Sequence, residues 1–249
     1  MILSEKSATF RDHAISIAMP TTPSGVCTSG GPKHGCGPLY RIPRHARGQR
    51  IGLFGGTFDP PHRAHLAVSL FAMKRLRLDR VWWLVTPGNP LKNATAPAAL
   101  DQRLVAARAL ARHPRIDVTG IEARIGARYS YDTIRYLLSR CPQVHFVWIM
   151  GADNLASFHR WQNWRGIAAL VPIAVVDRLG PSLDAMGSVA GRALRHRIAE
   201  RAAASLPRRR PPAWVYLHGL KSPLSSTALR AAAVAKMSSS WSHFVNVDR

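Results

Sequence analysis

The sequence is poor in cysteine, poor in acidic residues and free of long hydrophobic runs. Its three cysteines are Cys27, Cys36 and Cys141. A small, odd number of cysteines argues against a disulfide framework and favours a reducing compartment. Cys27 and Cys36 flank His34, but a metal site there would need a fourth ligand and tighter spacing. We therefore expect no metal held by protein ligands.

The absence of long hydrophobic runs bears on the location of the protein. No stretch of about 18 apolar residues is present, which argues against a membrane span. The first residues also lack the basic-then-apolar order of a secretory signal. We expect a cytoplasmic protein that does not contact a membrane.

The shortage of acidic residues leaves a net charge of +22, with 35 Lys and Arg against 13 Asp and Glu. The excess is spread along the chain, and only Arg208, Arg209 and Arg210 form a tight basic run. A broad positive field suits any anionic ligand, including a triphosphate. A basic nucleic-acid-binding protein is the alternative, but the sequence has no RNP, KH, zinc-finger or helix-turn-helix motif. We expect no nucleic-acid partner.

The organisation of the chain changes near residue 50. Residues 1–49 are rich in Pro and Gly with few apolar positions, and we predict a disordered leader there. Residues 50–249 are predicted to form a single domain. Apolar runs typical of strands occur at 51–54, 81–85, 115–119, 144–150, 172–176 and 214–217. Helical patterns occur at 63–77, 98–112, 130–139, 153–170 and 189–204, and a last helix starts near Ser225. Residues 180–188 and 207–212 are predicted to be loops.

Strands that are apolar along their whole length, each followed by a helix, are typical of a parallel sheet covered on both faces. The fold predicted is therefore α/β, a doubly wound, Rossmann-like parallel sheet of five or six strands flanked by helices.

The first chemical motif follows the first predicted strand, where residues 55–65 read Gly-Gly-Thr-Phe-Asp-Pro-Pro-His-Arg-Ala-His. Glycines let a backbone approach a phosphate and offer it N–H groups. The next helix points its positive N-terminal end at the same place. His62 and His65 are three residues apart, so both face one side of that helix and can bond a phosphate oxygen.

The second motif lies near the other end of the chain, where residues 225–230 read Ser-Ser-Thr-Ala-Leu-Arg. Ser225 or Ser226 is a natural N-cap that leaves backbone N–H groups and hydroxyls for a phosphate. Arg230, one turn later, can supply a bidentate charged donor to the leaving phosphates. The two motifs would sit side by side across the sheet and enclose a triphosphate.

Together these motifs resemble the H-x-G-H (or T-x-G-H) and I-S-S-T-x-I-R elements of the nucleotidyltransferase superfamily. Ala64 stands where the family usually has Gly, and Leu224 and Leu229 stand in the places of Ile. Alanine is small, so we expect the close approach of a phosphate to survive. Four further segments, at 86–92, 129–133, 151–161 and 176–180, are similar in content and order to bacterial nicotinate-nucleotide adenylyltransferases. The resemblance spans about residues 51–235.

The resemblance implies a role for each matched residue. Asp153 would hold the ribose hydroxyls of ATP, and Trp161 would stack on a pyridine ring. Ser130 and the backbone N–H groups beside it would receive the nicotinate carboxylate. The predicted catalytic residues are His62, His65 and Arg230. The predicted ATP-binding residues are Gly55, Gly56, Thr57, Phe58, His65, Gly151, Asp153, Arg178, Ser225, Ser226, Thr227 and Arg230. The predicted acceptor-binding residues are Asn89, Lys92, Tyr129, Ser130, Tyr131 and Trp161. Trp164 and His159 are predicted to be structural.

The activity implied is transfer of AMP from ATP to nicotinate mononucleotide, which gives deamido-NAD and pyrophosphate. A phosphate monoester is already an anion at neutral pH, since its second pKa is about 6, so no strong general base is needed. Mg²⁺ is expected to be held mainly by the ATP phosphates, with Asp59 as a turn residue. The alternatives within the class are nicotinamide mononucleotide and phosphopantetheine as acceptors. No oligomeric state is predicted.

Overall fold

The structure, a computed structural model, describes residues 37–88, 98–177 and 182–219, the side chains of 182–184 excepted. These residues contain one parallel sheet of six strands. The strands are β1 (Arg50–Gly56), β2 (Arg80–Val85), β3 (Ile116–Thr119), β4 (His145–Gly151), β5 (Ile173–Val176) and β6 (Trp214–Leu217). They lie in the order β3-β2-β1-β4-β5-β6, and every neighbouring pair is parallel. The predicted fold class is confirmed.

Helices connect the strands and cover the sheet. The α-helices are α1 (Arg63–Leu76), α2 (Leu100–Leu110), α3 (Ile121–Ile125), α4 (Ser130–Arg140), α5 (Ala152–Ser157), α6 (Trp164–Leu170), α7 (Ser182–Gly187) and α8 (Val189–Ala193). Short 3₁₀ helices span Pro38–Tyr40, Phe158–Arg160 and Glu200–Arg208. Of these elements, α3, α7 and the helix at Pro38–Tyr40 were not predicted from the sequence.

Strand β2 shows why its sequence is apolar without alternation. Trp82 and Leu84 belong to the core cluster on one face of the sheet, and Val81, Trp83 and Val85 belong to the cluster on the other. All five side chains are fully buried. Successive side chains of a strand point to opposite faces, so both faces of the sheet must be covered.

Two predictions for residues 180–204 were wrong. The predicted loop contains helix α7, whose Ala185 is buried in the same core cluster as Leu155 of α5. Burial of that face stabilises a short helix that local propensity does not favour. The helix predicted at 189–204 is broken after α8, and the chain turns through His196 at φ +59° before the 3₁₀ helix Glu200–Arg208.

Residues 37–49 pack against the domain and do not form the end of a disordered leader. Tyr40 is buried, and its hydroxyl donates a hydrogen bond to the Asp101 carboxylate. The Gly120 N–H donates to the Leu39 carbonyl at 2.8 Å, and the Thr119 hydroxyl donates to the Arg41 carbonyl at 2.8 Å. The folded part of the chain therefore begins before residue 50. Residues 1–36 of the leader predicted for 1–49 lie outside the described residues.

The described part of the chain has no helix that is long and apolar enough to cross a membrane. The helix predicted near Ser225 lies outside that part.

Candidate active site

The order of the strands reverses between β1 and β4, which lie side by side at the centre of the sheet. In open parallel sheets the connections after two such strands leave toward opposite faces, and a ligand crevice opens at their carboxyl ends. Strand β1 ends at Gly56 and leads to the loop before α1. Strand β4 ends at Gly151 and leads directly into α5. The predicted phosphate motif therefore lies at this crevice.

His62 and His65 form a pair at the start of α1. His62 is the N-cap, and the two residues make a capping box. The His62 backbone N–H donates to His65 Nδ1 at 3.1 Å, and the two ring centroids are 3.8 Å apart. Because Nδ1 accepts this bond, the proton of a neutral His65 ring lies on Nε2. The backbone thus fixes the tautomer of His65 and makes Nε2 a hydrogen-bond donor.

Packed aromatic rings hold His65 in place. Phe58 stacks on Trp83 with centroids 4.9 Å apart and planes 17° apart, and its ring centroid is 4.7 Å from that of His65. Trp83 Nε1 donates to the Ser69 hydroxyl at 2.7 Å, and that hydroxyl donates to the His65 carbonyl at 2.9 Å. Phe58 has φ +48°, a left-handed conformation that is uncommon for a bulky residue. The sequence analysis predicts that Phe58 binds ATP. The structure shows in addition that the Phe58 ring packs against His65.

Packing requires a glycine at position 55, at the end of β1, and leaves little room for a side chain at Gly56. A Cβ on Gly55 would lie 2.8 Å from the Trp148 ring of β4, and one on Gly56 would lie 3.3 Å from the Phe58 ring. Since a tryptophan ring cannot yield locally, Gly55 permits the close approach of β1 and β4. Ala64, where the family usually has Gly, is 1% exposed.

Two predicted ligand contacts follow β4. Asp153 is exposed in the first turn of α5. Trp161 is half-buried and packs edge to face against Trp148, with centroids 6.2 Å apart, and against Phe158, with centroids 5.4 Å apart. Trp164, predicted to be structural, is buried in the core.

A cavity of about 510 Å³ lies at the carboxyl ends of β2 and β3. One wall comes from the loop after β2 and the other from α3 and the loop after it. Its lining residues are Thr86, Pro87, Gly88, Glu122, Ala123, Gly126, Ala127 and Arg128. Its first three lining residues open segment 86–92, and its last, Arg128, comes directly before segment 129–133. Tyr129, the N-cap of α4, and Ser130, its first residue, follow the lining residues directly.

Glu122 is a buried carboxyl at this cavity that the sequence prediction missed. The Thr133 hydroxyl of α4 donates to its Oε1 at 3.1 Å. Burial raises the pKa of Glu122 to about 7, against the opposing effect of hydrogen bonds from the Thr86 and Thr133 side chains. A lone acidic residue between two apolar ones, Ile121 and Ala123, was the only signal in the sequence.

Seven of the predicted site residues lie outside the described part of the chain, so their assignment stays a prediction. They are Asn89, Lys92, Arg178, Ser225, Ser226, Thr227 and Arg230.

A parallel sheet with a 3-2-1-4-5-6 strand order, and a helix N-terminus with two histidines at the point of reversal, defines an α/β nucleotide-binding protein. Residues 53–232 match the family model described as cytidylyltransferase-like. The chain belongs to this family, and its sequence relatives place it with the nicotinate-nucleotide adenylyltransferases.

Two curated relatives illustrate the similarity, and both are named "Probable nicotinate-nucleotide adenylyltransferase". The protein from Bradyrhizobium sp. (strain ORS 278) is 62% identical over 182 residues, which cover 73% of this chain and 95% of the relative. The protein from Brucella suis biovar 1 (strain 1330) is 50% identical over 187 residues, which cover 75% of this chain and 96% of the relative.

The fold is also similar to a solved structure, that of Plasmodium falciparum nicotinic acid mononucleotide adenylyltransferase complexed with APC. The TM-score is 0.51 at 15% sequence identity, with 74% of this chain and 83% of the other covered. At this identity the likeness supports the fold alone.

Proposed function

We propose that this protein transfers the AMP part of ATP to nicotinate mononucleotide, which gives deamido-NAD and pyrophosphate in NAD biosynthesis. The observation that carries the proposal is the His62–His65 pair, held at the N-terminus of α1 where the strand order reverses. The names of the curated relatives support the same reaction.

The reaction is a displacement at the α-phosphorus of ATP. An oxygen of the acceptor phosphate forms the new P–O bond as the bond to the β-phosphate oxygen breaks, and pyrophosphate leaves. The acceptor oxygen is already anionic at neutral pH, so the protein has to position the reactants and stabilise charge. Nε2–H of His65 and the backbone N–H groups at the start of α1 would donate to phosphate oxygens.

The acceptor would enter the cavity beside β2 and β3. The first turn of α4 offers backbone N–H groups and the Ser130 hydroxyl to an anion, and a helix N-terminus favours a carboxylate. Tyr129, Tyr131, Asn89 and Lys92 would complete this side, and Trp161 would stack on the pyridine ring. Nicotinamide mononucleotide lacks the carboxylate charge that this helix start would favour.

The ATP side would be completed by residues at the other carboxyl ends and at the second motif. Asp153 would hold the ribose hydroxyls, and Arg178 and Arg230 would assist the triphosphate, with Ser225, Ser226 and Thr227 at a helix start. Mg²⁺ would come bound to the ATP phosphates and neutralise part of their charge. Asp59 is proposed to be a turn residue rather than a metal ligand, and its negative charge acts on the guanidinium of Arg103. We further propose a cytoplasmic location and no nucleic-acid partner.

The test is pyrophosphate release from ATP with a panel of acceptor phosphates: nicotinate mononucleotide, nicotinamide mononucleotide and phosphopantetheine. We expect the highest kcat/KM with nicotinate mononucleotide. Turnover with another acceptor in preference would overturn the acceptor assignment and leave adenylyl transfer standing. RNA affinity that survives high salt, without ATP turnover, would favour the nucleic-acid alternative instead.

A further inference from the structure

Arg103, on the first turns of α2, is a buried cation that the reaction described above does not use. Arg103 is only 2% exposed. Within the described residues its guanidinium makes four hydrogen bonds, all to backbone carbonyl oxygens. Nε donates to Ala98 at 2.7 Å, Nη1 to Thr57 at 2.7 Å and Thr86 at 2.8 Å, and Nη2 to Pro87 at 3.1 Å.

Three of these carbonyls belong to the two loops of the candidate site. Thr57 is the first residue after β1, in the segment that leads to His62 and His65. Thr86 and Pro87 follow β2 and line the acceptor cavity. A single Nη1 atom bonds Thr57 and Thr86 together, so one planar group sets the separation of the ATP-side loop from the acceptor-side loop.

The chemistry of the side chain fits this task better than that of any other residue. A guanidinium carries five N–H donors in a rigid fork and no acceptor, so it can serve several carbonyls at once, whereas an ammonium is a compact point charge. Burial lowers the pKa of Arg103, and the negative charge of Asp59 opposes that shift. Burying a cation is costly, and an apolar side chain would fill the same space without that cost. Ordering the two loops offsets this cost, because Arg103 joins them beyond the backbone hydrogen bond from the Thr86 N–H to the Gly56 carbonyl at 3.0 Å.

We propose that Arg103 is a positioning residue that holds the phosphate-binding loop after β1 in register with the acceptor loop after β2. It does not touch either substrate. Its effect on catalysis rests on the adenylyl transfer proposed above, whereas its effect on the two loops does not.

The test compares Arg103→Lys, which keeps the charge but loses the fork, with Leu206→Ala. Leu206 is fully buried in the 3₁₀ helix Glu200–Arg208, which packs against α1, β4 and β6, so its truncation destabilises the fold without removing a hydrogen bond to either loop. Tm is measured for both, and kinetics are compared at temperatures equally far below each Tm. We expect kcat/KM to fall on the order of 10- to 100-fold in Arg103→Lys, with KM raised for ATP and for the acceptor together. The Leu206→Ala variant should keep wild-type KM values.

A second measurement needs no turnover. Amide hydrogen exchange followed by mass spectrometry should show faster exchange in both 55–62 and 84–88 in Arg103→Lys, and in neither segment in Leu206→Ala. A further variant, Arg103→Ala, is assayed with added guanidinium, which should restore activity saturably where methylammonium does not.

The possible results separate the two proposals. Equal KM values and exchange in Arg103→Lys and Leu206→Ala would overturn the role of Arg103. Faster exchange in only one loop would also overturn it, since a single fork joins both. Absence of turnover in the wild-type protein would overturn the proposed function, and the exchange data would still decide the case of Arg103.

Discussion

The two sides of the crevice are held together by different kinds of contact. On the ATP side, His65 is fixed by packed rings, with Phe58 between it and Trp83. On the acceptor side, the cavity is bordered by a buried carboxyl, Glu122, which accepts a hydrogen bond from Thr133. Ring packing depends mainly on shape, whereas burial raises the pKa of Glu122 to about 7, so the charge of this carboxyl changes near neutral pH. We therefore expect the proposed ATP side to depend mainly on shape, and the proposed acceptor side to depend also on the protonation state of Glu122.

The largest expected effect tests the ATP side. We predict that His65→Ala lowers kcat about 100- to 1000-fold with the fold intact, because one preorganised donor to the developing charge is lost. The measurement is steady-state pyrophosphate release, with circular dichroism as the check on folding. The control is His145→Ala, which removes an exposed imidazole at the opposite end of β4 and should leave kcat unchanged. Near-normal turnover in a folded His65→Ala protein would remove His65 from the mechanism.

The next effect tests the acceptor side through pH. Glu122 has a pKa of about 7 in the folded protein against 4.5 for the free group, so the folded state keeps the proton where the unfolded chain loses it. Its contribution to the free energy of unfolding is therefore full below pH 4.5 and falls as the pH rises toward about 7, by about 3 kcal/mol. We predict that Glu122→Gln, neutral throughout, is stabilised relative to wild type above pH 7.

The measurement is urea unfolding of both proteins from pH 4.5 to 8, with the difference between them plotted against pH. Asp132→Asn is the control, because it removes an exposed carboxyl from the first turn of α4. A difference that stays flat between pH 4.5 and 8 would mean that Glu122 titrates as an ordinary carboxyl.

A smaller effect concerns how the protein distinguishes the nicotinate carboxylate of the acceptor from the amide. We predict that the enzyme prefers nicotinate mononucleotide to its amide on the order of tenfold, since hydrogen bonds to a charged group contribute roughly 1.5–3 kcal/mol against about 0.5–1.5 for neutral ones. Ser130→Ala should narrow the preference without abolishing it, because backbone donors of α4 remain. The measurement is kcat/KM for both acceptors at saturating ATP. If the ratio of kcat/KM values for the two acceptors is unchanged in Ser130→Ala, the Ser130 hydroxyl does not recognise the carboxylate.

The smallest effect concerns Ala64 on the ATP side. It is buried in the first turn of α1, so its methyl group packs into the protein. We predict that Ala64→Gly, which restores the residue usual in the family, changes kcat/KM by less than about twofold. It should lower the free energy of unfolding by about 0.5–1 kcal/mol, because glycine weakens a helix. A tenfold gain in kcat/KM would instead mean that the methyl group obstructs a phosphate.

The sequence determined the class of fold and the position of the phosphate motif. Apolar strands without alternation can only be buried on both faces, which is why β2 and β6 were found where they were predicted. A glycine pair followed by two histidines at helical spacing likewise specifies a strand, a turn and a helix start from local chemistry alone.

Only the tertiary structure decided which distant groups meet. Nothing local in the sequence shows that Glu122 is buried beside Thr133, or that Arg103 lies among the carbonyls of two loops. The packing of residues 37–49 and the short helix α7 also depend on partners far along the chain. The free energy from local propensity is small compared with that from burying a few side chains. Elements that depend on long-range contacts therefore cannot be predicted from the sequence pattern.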